Sequence, residues 1–250
     1  IGLSTYFSLN KLFQSIPNPL KLALSTSYSL MSFTVSQLEI KTWLDVFILI
    51  PLIITGLHLL ITENKRLLYF TSLSILFIQN YYFAYMTALF LFFWYLCQIS
   101  WNFKIRRLSF LDFVVTSFLA GLTSSIMTLP TLLDLRTHGE KLTAITKFKT
   151  DSSWYLDVFS KQFIGSFDTT KYGSIPMIFV GLLPFILTVL FFTLKSIQFH
   201  VKLVYGMFFT ILIASFYIEA LDLFWQGMHT PNMFLHRYAW IFSTLLIYTA

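Results

Sequence analysis

Long apolar runs alternate with short polar gaps along almost the whole chain. An α-helix needs about 20 mostly apolar residues to cross the roughly 30 Å hydrocarbon core of a bilayer. The pattern therefore predicts an all-α fold, a polytopic transmembrane helical bundle with about nine membrane segments. The predicted segments cover residues 1–10, 22–38, 43–61, 67–78, 81–99, 110–133, 175–194, 203–221 and 238–250.

The run at residues 67–78 is shorter than the others. Its 12 residues make a helix of about 18 Å, which is too short to cross a bilayer. Gln79 and Asn80 alone separate it from the next run, at residues 81–99. We therefore predict a hairpin whose outer tip carries Asn80 and lies below the outer membrane surface.

The polar gaps are of two kinds, which alternate along the chain. Every second gap is basic, and the other gaps contain acidic, aromatic, histidine and asparagine residues. Basic loops stay on the cytoplasmic side of a membrane, so the chemically varied gaps are predicted to face outward. Nine basic residues fall in the predicted cytoplasmic gaps, whereas Lys41 and Arg237 are the two in the short outer gaps. The nine are Lys11, Lys21, Lys65, Arg66, Lys104, Arg106, Arg107, Lys195 and Lys202.

Composition excludes an ordinary soluble domain. Hydrophobic residues make up 56% of the chain and charged residues 11%, with a mean hydropathy of +0.72. Soluble domains carry roughly 25% charged residues. The net charge of +6 does not indicate nucleic acid binding, because the basic residues lie in short gaps between helices. The lipid bilayer is the predicted partner.

The apolar runs at the two ends are incomplete. The chain opens at Ile1 rather than at a methionine, and it stops at Ala250 about thirteen residues into the last run. We expect residues 1–250 to be a single transmembrane domain that is an internal piece of a larger protein. Cys97, the one cysteine, lies within an apolar run and cannot form an internal disulfide.

The longest connection, at residues 134–174, is predicted to be an outer-face loop that carries a short interfacial helix. Five apolar residues recur on one helical face, and Asp157 and Lys161 lie opposite. Two interpretations remain open: a loop helix that caps the bundle, or a lid over a lipid-linked substrate. The apolar residues are Trp154, Tyr155, Val158, Phe159 and Phe163.

Two outer gaps carry candidate residues in the first half of the chain. Glu39, Lys41 and Asp45 flank Trp43 at the start of one span. Asp45 is either a helix-start carboxylate paired with Lys41 or part of a polar wall for an acceptor or a metal. Asn80 belongs either to an aromatic belt at the interface or to a polar notch that reaches a lipid headgroup.

The last outer gap is the richest in polar residues, and Gly227 and Pro231 make it irregular. Arg237 is either an interfacial anchor or a bidentate phosphate ligand. A metal site formed by His229, His236 and Asp222 is an alternative, but no H-E-x-x-H spacing supports it, and the sequence predicts no cofactor. Phosphate-binding and dinucleotide-binding glycine motifs are also absent from the sequence. The polar residues of this gap are Glu219, Asp222, Gln226, His229, Asn232, His236 and Arg237.

Five stretches, which cover nearly the whole chain in order, resemble the bacterial YfhO family. Each stretch alone is a weak signal, whereas five in sequence are fairly specific. They are Trp43-Leu44-Asp45, the hairpin tip from Gln79 to Met86, Phe163-Ile164-Gly165-Ser166-Phe167, Val180-Gly181-Leu182-Leu183-Pro184, and the tail from Trp225 through Pro231-Asn232 to Arg237-Tyr238.

The resemblance implies a GT-C glycosyltransferase fold in a large multi-pass protein of the Gram-positive cell membrane. It implies transfer of a sugar from a polyprenyl-phosphate carrier to an envelope acceptor such as teichoic or lipoteichoic acid. GT-C enzymes usually carry their catalytic aspartate in the first outer loop. The resemblance thus places the general base before Ile1, and the catalytic residue within this chain is unknown.

Our main hypothesis is therefore an inverting glycosyltransferase whose substrates bind at the outer gaps. Arg237, with His229 or His236 and Asn232, is predicted to bind the carrier phosphate. Asp45, Glu39 and Asn80 are predicted to shape the acceptor and sugar side. One rival is a transporter or flippase that carries the same lipid-linked saccharide without cleaving it, and another is a non-catalytic membrane scaffold.

Overall fold

The computed structural model describes residues 1–138, 143–150, 156–163, 177–231 and 235–250. Within these ranges the fold is all-α, as the sequence predicts, and the one β-type pairing is an isolated bridge between Lys149 and Ile218. The helices are α1 (Gly2–Leu12), α2 (Asn18–Ser29), α3 (Ser32–Ser36), α4 (Lys41–Leu44), α5 (Val46–Glu63), α6 (Leu67–Gln79), α7 (Tyr81–Ser100), α8 (Phe103–Arg106), a 3-10 turn (Arg107–Ser109), α9 (Phe110–Thr123), α10 (Ser125–His138), α11 (Asp157–Ser160), α12 (Leu182–Thr193), α13 (Phe199–Tyr217), α14 (Glu219–Trp225) and α15 (Ala239–Thr249).

Three helical stretches are long and apolar enough to cross a membrane among the described residues. They are Lys41–Glu63, Tyr81–Ser100 and Phe199–Tyr217. A fourth is possible if α9 and α10, which meet at an angle of 73°, together form one span. The predicted total of nine membrane segments stays a prediction.

The chain divides into two compact units. Unit 1 comprises Ile1–Lys21 and Ile40–Glu140, and unit 2 comprises Leu22–Glu39 and Lys141–Ala250. This division follows from contacts within the chain alone. It therefore does not test the prediction of a single transmembrane domain over residues 1–250.

Unit 1 is built around α5, which packs on α1 and α6. On α1 the buried residues include Ser4, Thr5 and Ser8, small side chains that let helix backbones approach closely. On α5 the small residue is Gly56, where an added Cβ would lie 2.4 Å from the backbone nitrogen of Tyr69 on α6. The α5–α6 crossing is therefore close enough to require glycine at this position.

The predicted short segment is a short helix in the structure. α6 has 13 residues, about 20 Å of helix, and it ends at Gln79. Asn80 alone joins α6 to α7 in an extended conformation, and its Oδ1 accepts a hydrogen bond from the backbone N–H of Phe83 at 3.1 Å. The prediction that this segment is too short to span is confirmed in length, whereas the depth of Asn80 in a membrane stays a prediction.

The run at residues 110–133, which the sequence predicts as one segment, breaks at Ser124 between α9 and α10. The Ser124 hydroxyl lies 3.1 Å from the backbone oxygen of Ser74 on α6 and 2.7 Å from that of Ala120. At the bend the side chain thus bonds to the backbone of α9 and to that of the neighbouring α6. A hydropathy pattern does not contain this information, because serine is common within membrane helices as well.

Unit 2 combines α3 with a segment that precedes α12. The run at residues 22–38 is also predicted as one span, but it divides into α2 and α3. Ser32, at the start of α3, donates its backbone N–H to the Phe179 oxygen at 2.9 Å. The Ser32 hydroxyl in turn accepts the N–H of Phe179 at 3.0 Å. This pairing with an extended segment accounts for the break, because the first N–H groups of a helix have no partner within the helix.

The rest of unit 2 packs around α15, which is buried along its whole length. Thr188 of α12 donates its hydroxyl to the Leu246 oxygen of α15 at 3.1 Å. Phe242 of α15 meets Phe209 of α13, with ring centroids 5.5 Å apart. A helix that is apolar all round is typical of a protein interior. α15 therefore holds the residue before it, Tyr238, in a fixed position.

The predicted interfacial helix of the outer loop is represented by α11, four residues long. Phe159 of α11 and Phe163, three residues after its end, are exposed with ring centroids 5.3 Å apart, whereas Asp157 is buried. Trp154 and Tyr155, which complete the predicted apolar face, lie outside the described residues. The choice between a capping helix and a lid stays open.

Candidate polar site before the last helix

The predicted site residues Asp45 and Asn80 lie at the same end of unit 1. Phe83, in the first turn of α7, contacts Trp43 at 5.2 Å and Phe47 at 6.0 Å between ring centroids. The starts of α5 and α7 are therefore neighbours. Asp45 is exposed and precedes α5, and Asn80 is half-buried and caps α7.

The helix-cap contact gives Asn80 a structural role that the sequence analysis does not separate from binding. Its Oδ1 is engaged by the backbone, so the amide nitrogen is the part that remains to donate to a ligand. For Asp45, the ion pair with Lys41 that we considered is not among those formed by the described residues. Both side chains are exposed, where such a pair contributes little.

Basic residues gather at the opposite end of α5. Lys65 pairs with Glu63 at 2.6 Å, and Arg66 pairs with Asp112 at 2.8 Å. The 18 residues of α5, about 27 Å of helix, separate this end from Asp45. In unit 1, Lys65 and Arg66 therefore lie at the opposite end of α5 from Asp45.

The candidate residues of the last outer gap lie in unit 2, in and after α14. The start of α14 is anchored, since Glu219 Oε2 accepts the backbone N–H of Lys147 at 2.6 Å. After α14 the chain turns through Gly227 and Met228, which both have positive φ values. His229 and Arg237 are half-buried. Asn232 lies outside the described residues, and Glu39, also in unit 2, is exposed.

Asp222 is the centre of a buried hydrogen-bond network. Its Oδ1 lies 2.6 Å from Nδ1 of His236, and its Oδ2 accepts a hydrogen bond from Nε2 of Gln226 at 2.9 Å. The Tyr238 hydroxyl lies 2.9 Å from Asp222 Oδ1 and 2.7 Å from the Ser215 backbone oxygen, so these two acceptors share its single hydrogen. The His236 side chain is 2% exposed and that of Asp222 14%.

Aromatic rings enclose this network. Tyr238 stacks between Phe216 and Trp225, with centroid distances of 5.4 Å and 5.7 Å. The Trp225 indole N–H donates to the Ser215 hydroxyl at 3.0 Å, which fixes one wall. Phe216 also meets the His236 ring edge to face at 5.6 Å. The rings lower the exposure of the network, and hydrogen bonds are stronger in such surroundings than in water.

One ring nitrogen of His236 has no partner among the described residues. Nε2 is buried and makes no hydrogen bond to them, and the same holds for Gln226 Oε1. An unsatisfied buried polar atom costs about 1–3 kcal/mol. His236 also has a φ of +56°, an uncommon conformation for a residue with a side chain. Strained backbone and an unpaired buried group together are typical of functional sites.

Sequence reasoning found only part of this arrangement. It named His236 as a binding residue, and it considered Asp222 only as a metal ligand together with His229 and His236. The described residues contain no group of three or more His, Cys, Asp and Glu side chains that could hold a metal ion. It missed Gln226 and Tyr238 as partners of Asp222. The spacing of Asp222 and Gln226, four residues apart on one helix, is the available signal for the first pair.

The family follows from a comparison of the whole sequence. The family model described as "Bacterial membrane protein YfhO" matches residues 1–250. The chain belongs to the YfhO family. The resemblance that the five stretches carry is thereby confirmed, and together with the apolar helices it establishes a membrane protein. No curated protein and no solved structure matches the chain.

Proposed function

We propose that this YfhO-family chain is part of a multi-pass GT-C glycosyltransferase of the cell membrane. The substrate is a sugar linked to a polyprenyl phosphate, and the acceptor is an envelope polymer such as teichoic or lipoteichoic acid, on the outer face. The observation that carries the proposal is the polar network around Asp222, next to Arg237 at the start of α15. It brings a cation and a buried histidine to adjacent positions in a membrane protein.

The proposed reaction is an inverting displacement. A carboxylate base takes the proton of an acceptor hydroxyl. The acceptor oxygen then bonds to the anomeric carbon while the bond from that carbon to the phosphate oxygen breaks. The bonding electrons leave with the polyprenyl phosphate, which gains a negative charge. Arg237, assisted by His229 or His236 and by Asn232, stabilises this charge.

In this proposal, polar residues of the other outer gaps bind the acceptor and the sugar. Asp45 and Glu39 offer carboxylate acceptors to sugar hydroxyls, and both are exposed. Asn80 offers its amide nitrogen, because its Oδ1 caps α7. Each of these side chains lies at a helix start or in a connection, where polar groups remain accessible next to a membrane.

A double-labelled carrier tests the proposal against a transporter or flippase. The full-length protein is placed in liposomes with a carrier that bears ³²P in its phosphate and ¹⁴C in its sugar, together with the acceptor polymer. Transfer separates the labels, with ¹⁴C in the polymer and ³²P in the lipid. A flippase moves both labels across the bilayer together, and a scaffold leaves both in place. Either of the last two results refutes the glycosyltransferase.

A further inference from the structure

We propose that Asp222 is a positioning residue that holds His236 with its Nε2–H directed to the phosphate of the lipid carrier. The chemical nature of the ligand rests on the proposed function. The role of Asp222 rests on the hydrogen-bond network, because the proposed reaction gives this residue no part.

The network places a hydrogen on Nδ1 of His236. An ionised carboxylate only accepts hydrogen bonds, and Asp222 Oδ1 lies 2.6 Å from Nδ1, so Nδ1 donates to Asp222. In the proposed site the ring is the protonated imidazolium, in which Nε2 also carries a hydrogen, and the Asp222 carboxylate balances its charge. A carboxylate in this position holds the imidazole orientation and stabilises positive charge that develops on the ring. Gln226 and Tyr238 hold the carboxylate in turn.

The backbone points to the same assignment. His236 has a φ of +56°, and its side chain is 2% exposed. None of the residues that the structure describes bonds to Nε2. A ligand that accepts the Nε2–H removes this unsatisfied group, which favours its binding once it displaces the side chains that cover the ring. Arg237 follows directly in the chain, so a phosphate bound by Arg237 lies close to His236.

The chemistry identifies the step in which His236 matters most. In the carrier the phosphate is a diester with one negative charge, and the departing polyprenyl phosphate is a monoester with two. A positively charged Nε2–H donor therefore binds the leaving group more strongly than the substrate. Such a difference lowers the activation barrier and so raises kcat. It leaves the KM for the substrate nearly unchanged. The donor keeps its hydrogen, so no additional reactant is required.

A double-mutant cycle in the full-length protein tests the coupling. Asp222→Asn keeps the size of the side chain, and rotation of the Gln226 amide lets its unpaired Oε1 accept from the new amide group. His236→Asn keeps a residue type that tolerates a positive φ. We expect each single variant to lower kcat at least about tenfold, with KM for the sugar-bearing carrier changed by no more than about twofold. The double variant should be no slower than His236→Asn.

The cycle separates positioning from mere stability. Thr188→Ala is the matched control, because it removes the buried hydrogen bond to the Leu246 oxygen of α15 and leaves Asp222, His236 and their partners unchanged. It should lower the melting temperature and leave kcat of the folded protein unchanged. The proposal is overturned if Asp222→Asn keeps the kcat of the native protein, or if the effects of the two substitutions multiply.

Binding separates this inference from the proposed function. Farnesyl phosphate, farnesol and inorganic phosphate are titrated against the purified protein, with tryptophan fluorescence as the signal, since Trp225 stacks on Tyr238. Asp222→Asn and His236→Asn should each weaken farnesyl phosphate about tenfold, as expected for a lost hydrogen bond between charged groups, and leave farnesol unchanged.

The outcomes of this titration distinguish the proposed function from the proposed role of Asp222 and His236. If the native protein binds farnesyl phosphate through His236 but transfers no sugar, the proposed function fails and this inference stands. If the variants bind farnesyl phosphate as the native protein does, this inference fails whatever the activity. Inorganic phosphate bound as tightly as farnesyl phosphate also overturns it, because the site then does not select a lipid phosphate.

Discussion

Consecutive residues in the last outer gap have different surroundings. His236 is enclosed by aromatic rings and bonded to Asp222, whereas Arg237 is half-buried at the start of α15. A guanidinium donates two parallel hydrogen bonds to a phosphate, which an ammonium does not reproduce. In the proposed anion site the two residues therefore have different roles: Arg237 binds the phosphate with two hydrogen bonds, and His236 donates one charged hydrogen bond.

Arg237→Lys in the full-length protein is expected to lose most transfer activity while expression stays near normal. The loss of one charge-assisted hydrogen bond is worth about 1.5–3 kcal/mol, or roughly 10–100-fold in rate. The rate of sugar transfer from the carrier measures it, with Lys195→Arg at an exposed site as the control. Near-native transfer in the lysine variant would show that Arg237 is only an interfacial anchor, since both side chains extend to the interface.

Asn80 allows its capping role to be separated from binding. Asn80→Ala is expected to cost about 0.5–2 kcal/mol of stability, because Phe83 N–H loses its acceptor. Asn80→Ser keeps a cap and should melt within a few degrees of the native protein. The serine variant lacks the amide nitrogen, so we expect its transfer rate to fall. A serine variant with native stability and native rate would leave Asn80 as a helix cap alone.

At this scale the sequence predicts which residues are polar and face outward, but not which of them bond to each other. His236 was identified from its place in a polar gap. Its partner Asp222 is 14 positions earlier, and the contact depends on a turn with positive φ at Gly227 and Met228. Tyrosine is common at membrane–water interfaces, so the sequence places Tyr238 in the last apolar run and gives no sign of its contact with Asp222.

Among the elements, α5 and α6 form a close contact through Gly56. The space there is filled by backbone atoms of Leu68 and Tyr69, which cannot move as a side chain can. Helices in membranes gain from close packing at small residues, since apolar side chains gain little by leaving lipid. The crossing therefore depends on a single missing methyl group.

Gly56→Ala is expected to destabilise the protein by about 1–3 kcal/mol, as overpacking of a filled interior does. Gly121→Ala on α9 is the matched control, since no atom lies within 4 Å of its added Cβ. It should be neutral or stabilising by at most about 1 kcal/mol, because alanine favours helix over glycine. Melting of the two variants in the same detergent compares them, and equal melting temperatures would contradict the close contact.

The existence of the helices is more predictable than their ends. Continuous apolar runs predicted α5, α7 and α13 well, since each is long and strongly apolar. The breaks at Ser124 and before Ser32 were missed, because both depend on bonds to distant backbone, at Ser74 and Phe179. Distant partners leave no local periodicity in the sequence.

For the molecule as a whole, the segregation of basic residues predicts its orientation in the membrane. We expect a cysteine placed at position 229 to react with an impermeant reagent on intact cells. A cysteine at position 65 should react only after permeabilisation. Cys97 is buried, so it contributes little background from this part of the protein. Labelling at position 65 but not at 229 would reverse the orientation and remove the outer-face mechanism with it.

The pairing of Ser32 with Phe179 has a consequence for the order of synthesis. The partners are 147 residues apart, and Ser36 is 141 residues from its partner Met177. At a translation rate of about 5–20 residues per second, the interval is roughly 7–30 s. Residues 22–39 therefore emerge long before the rest of unit 2 exists. During that interval the start of α3 has no partner for its backbone. If translation stops before residue 179 is made, this helix end stays exposed and accessible to proteases.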